Sequence, residues 1–185
     1  MQLKRVVITG IGALTPIGNT APEYWEGLTN GVSGAAPITR FDASKFKTQF
    51  ACEIKNFDVL NYYDRKEARR MDPYTQYAMV SSEEAVRDSG LDIEKVNKDR
   101  IGVIFGTGIG GLTSFFHEVV AYANGDGTPR FSPFFIPMMI ADIAAGHIIL
   151  EHSGGTVTDF EGNEILYGKK NLKNPSIIIK SKNIL

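Results

Sequence analysis

At 185 residues the chain has room for one domain or slightly more, and its 43% hydrophobic and 22% charged residues match an ordinary soluble globular protein. Twenty basic against 21 acidic side chains leave a formal charge of -1, so no global field favours nucleic acid or an anionic membrane, and electrostatic binding has to come from a local patch. The single cysteine, Cys52, excludes an internal disulfide, and no apolar run approaches the roughly 20 residues of a membrane span, so a cytoplasmic protein is expected.

In chain order, KRVVITGIG (residues 4–12) is a β-branched run ended by glycines and reads as a buried strand. Thr20 as N-cap, Glu23 three residues on and Pro22 in the first turn then start a helix that Gly31 stops. FACEIKNFDVL, residues 50–60, reads as an edge strand and loop, with Cys52 an inert core thiol. Asp72 and Pro73 open a second helix expected to run to Ser89, with Gly90 after it. Tyr74, Tyr77, Ala78, Ser81, Ala85 and Val86 recur at helical spacing and form its buried face. RIGVIFGTG (100–108) reads as a second apolar strand, LTSFFHEVVAYANG (112–125) as a third helix, and FFIPMMIADIAAGHIIL as an apolar stretch. TVTDF and EILYG around Glu161-Gly162-Asn163 suggest a hairpin, and PSIIIK a last strand. Strands alternating with helices indicate the α/β class.

GTGIGG at 106–111 matches G-x-G-x-x-G through Gly106, Gly108 and Gly111, between a strand and a helix. The acidic residue such a dinucleotide loop needs about 20 residues on is missing, so tight packing or a turn beside another ligand is the better reading. His147 and His152, five apart, fall about 140° apart around a helix and cannot share a ligand face. His117-Glu118 lacks the second histidine of a zinc helix. In DRKEARRMD, by contrast, Lys66, Arg69 and Arg70 stand at i, i+3 and i+4, so a helical turn would project three cations together. Either a solvated helix face or a site for an acidic partner fits that spacing.

RVVITGIGALTPIGNT, RRMDPYTQYAMVSSEEAVRDSGL, IGVIFGTGIGGL and RFSPFFIPMMIADIAAGHI, in this order, resemble the N-terminal part of the elongating type II β-ketoacyl-acyl-carrier-protein synthases over residues 1–147. The resemblance implies a thiolase-like fold, layered α-β-α-β-α, a homodimer, and decarboxylative condensation of an acyl chain with malonyl carried on acyl carrier protein. It further implies that Lys66, Arg69 and Arg70 meet the acidic carrier protein and that Ile109 and Phe134 border the acyl pocket at the dimer interface. The family's nucleophilic cysteine and its two malonyl-binding histidines have no counterpart in these 185 residues, and Cys52 matches a non-catalytic stretch. No catalytic residue is therefore assigned, and no condensation is expected from the chain alone.

The tail, DIAAGHIILEHSGGTVTDFEGNEILYGKKNLKNPSIIIK, resembles the C-terminus of the inositol monophosphatase family, in its 3'(2'),5'-bisphosphate nucleotidase branch. Asp142 matches a metal-binding aspartate of that family, with Ala141 in place of a tryptophan. Residues 140–147 fit both families, which divides the chain into a truncated synthase-like part, 1–147, and a foreign hairpin-and-strand tail, 140–185. This is the pattern of a chimera, an incomplete thiolase-like half joined to a tail from elsewhere. The tail's family uses Mg²⁺, but its other ligands are missing, so neither metal nor cofactor is expected to bind. VVITGIG, IGVIFG and FFIPMMI are expected to keep several hundred Å² of apolar area exposed, which forfeits on the order of 10 kcal/mol and leaves the chain aggregation-prone or molten; a non-enzymatic fragment that pairs with a full-length synthase is a further reading.

Overall fold

Helix α1 (Ala21–Thr29) begins and ends on the residues the sequence nominates, with one shift. The Thr20 hydroxyl accepts from the Glu23 N–H at 3.3 Å, but the Glu23 carboxylate accepts from the Asn19 N–H, at 2.8 Å, instead of that of Thr20. Gly31, at φ +65°, closes a Schellman turn in which Val32 N–H donates to the Gly27 carbonyl and Gly31 N–H to that of Leu28. The computed structural model describes residues 5–97 and 100–140 and the backbone of two short strands at 156–158 and 178–180. Its elements fall into two units, residues 1–62 with 79–94, and residues 63–78 with 95–185.

The first unit holds α1, the antiparallel pair β1 (Ala36–Pro37) and β2 (Phe50–Ala51) in the register Ala36↔Ala51, a 3₁₀ turn at Val59–Asn61, and residues 79–88 of the long helix Pro73–Asp88. Two sequence expectations fail here. No ladder pairs residues 5–12 among the described residues; Val6 and Ile8 are 88% and 84% exposed, so the apolar start of the expected buried strand has neither edge partners nor cover. Of the 50–60 segment only Phe50 and Ala51 form strand, and Cys52 is exposed instead of packed in the core.

The glycines that were read as ending that strand have a different task. A Cβ on Gly10 would stand 2.1 Å from the Ala85 carbonyl oxygen, and one on Gly12 would stand 1.8 Å from that of Ser81. Two extended residues rise about 6.6 Å and four helical residues about 6 Å, so Gly10 and Gly12 match Ala85 and Ser81 step for step. Alongside, Asp88 accepts from Ile11 N–H at 2.9 Å, while Glu84 accepts from Ala13 N–H and from Ala21 N–H, both at 2.8 Å. Glu84 thus satisfies an amide at the start of α1 that no helical carbonyl can reach.

The second unit contains the single turn α2 (Arg65–Ala68), the first six residues of α3 (Pro73–Asp88), α4 (Leu112–Ala123), α5 (Phe135–Met139), and the antiparallel strands β3 (Thr156–Thr158) and β4 (Ile178–Lys180). Along α3 the buried stripe is Thr75, Ala78, Met79 and Val80; Tyr74, Tyr77, Ser81 and Ala85 are half-buried, and Val86 is 39% exposed. Helix α3 stops one residue short of Ser89, and Gly90 takes φ +65° after it. RIGVIFGTG forms no strand among the described residues: Ile104 is fully exposed, and Cβ atoms on Gly102, Gly106 and Gly108 would meet nothing. Of the glycine pattern only Gly111 is packed, since a Cβ there would stand 2.0 Å from the Met138 carbonyl oxygen. β3 pairs with β4 through Val157↔Ile179; EILYG and the turn of the expected hairpin lie outside the described residues.

Gly12→Ala is expected to cost on the order of 3 kcal/mol through overpacking against the α3 backbone, whereas Gly102→Ala should stay within about 0.5 kcal/mol. Urea titration followed by Trp25 fluorescence would check both. The exposed Val6, Ile8, Val103 and Ile104 predict ANS binding and self-association at micromolar concentration; a sedimenting monomer with a sharp thermal transition and no ANS signal would contradict it.

Candidate functional site

The cationic turn is held at both ends. At its start Asp64 caps α2, accepting from Lys66 N–H at 2.7 Å and Glu67 N–H at 2.8 Å. At its end Gln76 Nε2 donates to the Ala68 and Met71 carbonyls, at 3.3 and 3.1 Å, the first of which also accepts from Met71 N–H. Helical geometry continues through Arg69 as C-cap, and Arg70 N–H bonds the Glu67 carbonyl at 2.9 Å. Lys66, Arg69 and Arg70 are all exposed on this turn.

Next to it, Asp72 is 2% exposed and its carboxylate serves two helices. One oxygen accepts from Tyr74 N–H in the first turn of α3, at 3.3 Å; the other accepts from Ser114 N–H in the first turn of α4, at 2.8 Å. Helix α4 has no capping side chain of its own, because Gly111 stands at its N-cap. The distant aspartate fills that role and places a negative charge at two positive helix ends. From α4 the scaffold continues to α5, where Gly111 N–H donates to the Met139 carbonyl at 2.9 Å and Phe115 stacks on Phe135 at 6.2 Å between centroids.

Phe134, the N-cap of α5, is half-buried, and its ring lies beneath Arg70, with the guanidinium carbon 4.9 Å from the ring centroid. The structure therefore joins a residue expected at the docking face to one expected at the acyl pocket. Ile109 is not brought into an enclosed pocket; it is 75% exposed in the loop before α4. Asp142, His147 and His152 lie outside the described residues, and His117 is exposed on α4, tilted against Phe116. Among the described residues no three His, Cys, Asp or Glu side chains gather as metal ligands, and no helix is long and apolar enough to cross a membrane.

Three carboxylates elsewhere titrate below their usual range for local reasons. The backbone N–H groups of Ser44 and Thr128 bond the charged forms of Asp42 and Asp126, and the Thr39 hydroxyl, at 2.6 Å, does so for Glu53. These are loop-shaping contacts. An open groove of about 450 Å³ in the first unit is lined by Asn19, Glu23, Glu26, Asn30 and Lys55, all with exposed or half-buried side chains.

The model of the β-ketoacyl synthase N-terminal domain matches residues 3–155. This chain belongs to the β-ketoacyl synthase family. The 3-oxoacyl-acyl-carrier-protein synthase 2 of Synechocystis is 49% identical over 146 residues, covering 79% of the chain and 35% of that protein. Its counterpart in Staphylococcus aureus is 48% identical over 163 residues, covering 85% and 39%. The chain thus spans well under half the length of these relatives. Among solved structures, a type II polyketide ketosynthase in complex with its acyl carrier protein and bound to the hexaketide superposes with a TM-score of 0.67 at 23% identity, over 83% of this chain and 40% of that one. The ishigamide ketosynthase/chain length factor gives 0.65 at 29% identity, over 80% and 36%. The fold class is accordingly mixed α/β with few strands, an incomplete part of the thiolase-like ketosynthase fold.

Asp72, Gln76 and Glu84 were missed as organising residues by the sequence; the Asp72-Pro73 pair signals a helix start but cannot show a second helix arriving at the same carboxylate. Asp72→Ala is expected to strand two amide donors and cost about 3 kcal/mol, with Asp72→Asn milder because its amide oxygen can still accept. Ser114→Ala, which keeps the donating N–H, should be near neutral; chemical denaturation of the three variants checks the order.

Proposed function

We propose that this chain carries the carrier-protein docking face of a type II β-ketoacyl-acyl-carrier-protein synthase, the class that elongates fatty acyl chains by decarboxylative condensation with malonyl. The observation that carries the reading is the exposed turn of Lys66, Arg69 and Arg70, held at both ends by Asp64 and Gln76, in a chain 48–49% identical to such synthases. Three cations on a braced surface suit an acidic partner, and the ketosynthase solved with its acyl carrier protein supports that partner's class. Ile109 and Phe134 are read as acyl-pocket residues at an interface with a second copy or a full-length synthase, in keeping with the 75% exposure of Ile109.

The 185 residues perform no condensation by themselves in this reading. Nucleophilic catalysis needs an activated thiol beside a base, and Cys52 is an exposed thiol in a stretch the family does not use for catalysis. Purified chain incubated with radiolabelled malonyl-carrier protein and an acyl donor is expected to give no product above a no-protein blank. The same chain should bind acyl carrier protein with micromolar affinity that falls as salt rises, and charge reversal at Lys66 and Arg69 should weaken it at least about tenfold. Unchanged binding by that double variant would remove the proposal.

The sequence from 140 to 185 favours a second reading, a remnant of a Mg²⁺-dependent 3'(2'),5'-bisphosphate nucleotidase fused at the string both families share, in the manner of a chimera. Asp142 is the residue that supports it. The metal does not fit what is present: one carboxylate is too few for Mg²⁺, and among the described residues no acidic cluster stands ready to complete the set. Phosphate release from adenosine 3',5'-bisphosphate that EDTA abolishes would favour this reading over the first.

A further inference from the structure

We propose that Phe134 is a positioning residue for carrier recognition: its ring seats the exposed Arg70 guanidinium and leaves N–H donors open to a carboxylate. The inference rests on the docking reading above and assigns to Phe134 a task beyond the acyl pocket. The guanidinium carbon stands 4.9 Å from the ring centroid while Arg70 remains exposed. Stacking uses the face of the cation, and all five N–H donors lie in its plane, so the contact and a bidentate carboxylate bond can exist together. A free arginine loses much rotamer freedom on binding; one already seated on a ring has lost part of it beforehand.

For this to work the backbone that carries the ring has to be fixed, and several bonds fix it. Phe134 N–H donates to the Ser132 hydroxyl at 3.2 Å, Ser132 N–H to the Glu118 carboxylate at 3.1 Å, and Met138 N–H to the Phe134 carbonyl at 2.9 Å. The next residue, Phe135, is stacked between Phe115 and Phe131, at 6.2 and 5.4 Å. On the other side, Arg70 is tied to α2 through its N–H and lies two residues from Asp72, whose bond to Ser114 anchors the α4 end of the same scaffold. Cation and ring are thus mounted on one hydrogen-bonded circuit. Of the three cations, Arg70 is the one that the described residues seat on an aromatic ring.

The test is a double-mutant cycle read by fluorescence anisotropy of a labelled bacterial acyl carrier protein titrated with the full chain. Phe134→Leu should weaken binding about two- to fivefold, the size of an exposed cation–π contact, and Phe134→Tyr, which keeps the ring face, should restore it. In an Arg70→Ala background Phe134→Leu should add nothing. Wild-type affinity for Phe134→Leu, or an equal further loss in the Arg70→Ala background, would overturn the proposal while leaving the docking turn in place. If Arg70→Ala itself binds as wild type, the docking reading of Arg70 fails first, and the proposal with it. Should Phe134→Leu lose its helical circular dichroism, Arg70→Lys reads the same contact from the other side: charge is kept, the planar face is lost, and the same two- to fivefold weakening is expected, with equality to wild type as the contrary result.

Discussion

A single buried carboxylate governs the second unit. Asp72 stands at the start of α3 and accepts from the first turn of α4, so two helix N-termini, each with amides that no intrahelical carbonyl can reach, converge on one negative charge. The seat of Arg70 on Phe134 depends on that convergence, while Asp64 and Gln76 brace the cationic turn itself. The convergence places Gly111 where Met138 and Met139 can lie against it, which sets α5, which in turn presents Phe134 to Arg70. A carboxylate in this position is costly to desolvate, and the two charge-assisted bonds offset that cost only while both helices are present. Ordering of the ring beneath Arg70 is therefore coupled to ordering of α4.

The first unit uses the same device with a different geometry. Glu84 bonds the amides of Ala13 and Ala21, and Asp88 that of Ile11, so acidic residues one turn apart on α3 line up an extended segment beside them. Beside these carboxylates, Ser81 and Ala85 leave room for backbone, and Gly10 and Gly12 fill it. Side chains at either glycine would separate the surfaces and break the carboxylate bonds as well. In both units, then, α3 acts through carboxylates that reach out to the main chain of distant residues.

The sequence made local features legible and long-range ones obscure. Thr20, Glu23, Gly31 and Gly90 act within a few residues of themselves, and the helices they bound were readable from spacing alone. The basic turn was likewise visible at Lys66, Arg69 and Arg70, and its meaning came from the resemblance to condensing enzymes. What failed were the two apolar strands at 4–12 and 100–108. A β-branched run states a preference for a sheet but cannot supply the neighbours that complete one; Val6, Ile8 and Ile104 show the preference without the neighbours. The seat of Arg70 on Phe134 was unreadable for another reason, since 64 positions separate the two and no periodicity connects them.

The distance along the chain between the glycine segment and its helix has a consequence for biosynthesis. The bonds from Ile11 to Asp88 and from Ala13 to Glu84 span 77 and 71 residues. At about 5–20 residues per second, a ribosome needs roughly 4–15 s to supply the partner after the segment itself has been made. During that interval Val6, Val7 and Ile8 emerge with nothing to lie against, an apolar stretch of the kind that chaperones at the exit tunnel engage. Docking of Gly10 and Gly12 onto α3 is consequently a late step in the nascent chain, and the rate of translation from residue 13 to residue 88 sets how long the N-terminus waits for its partner.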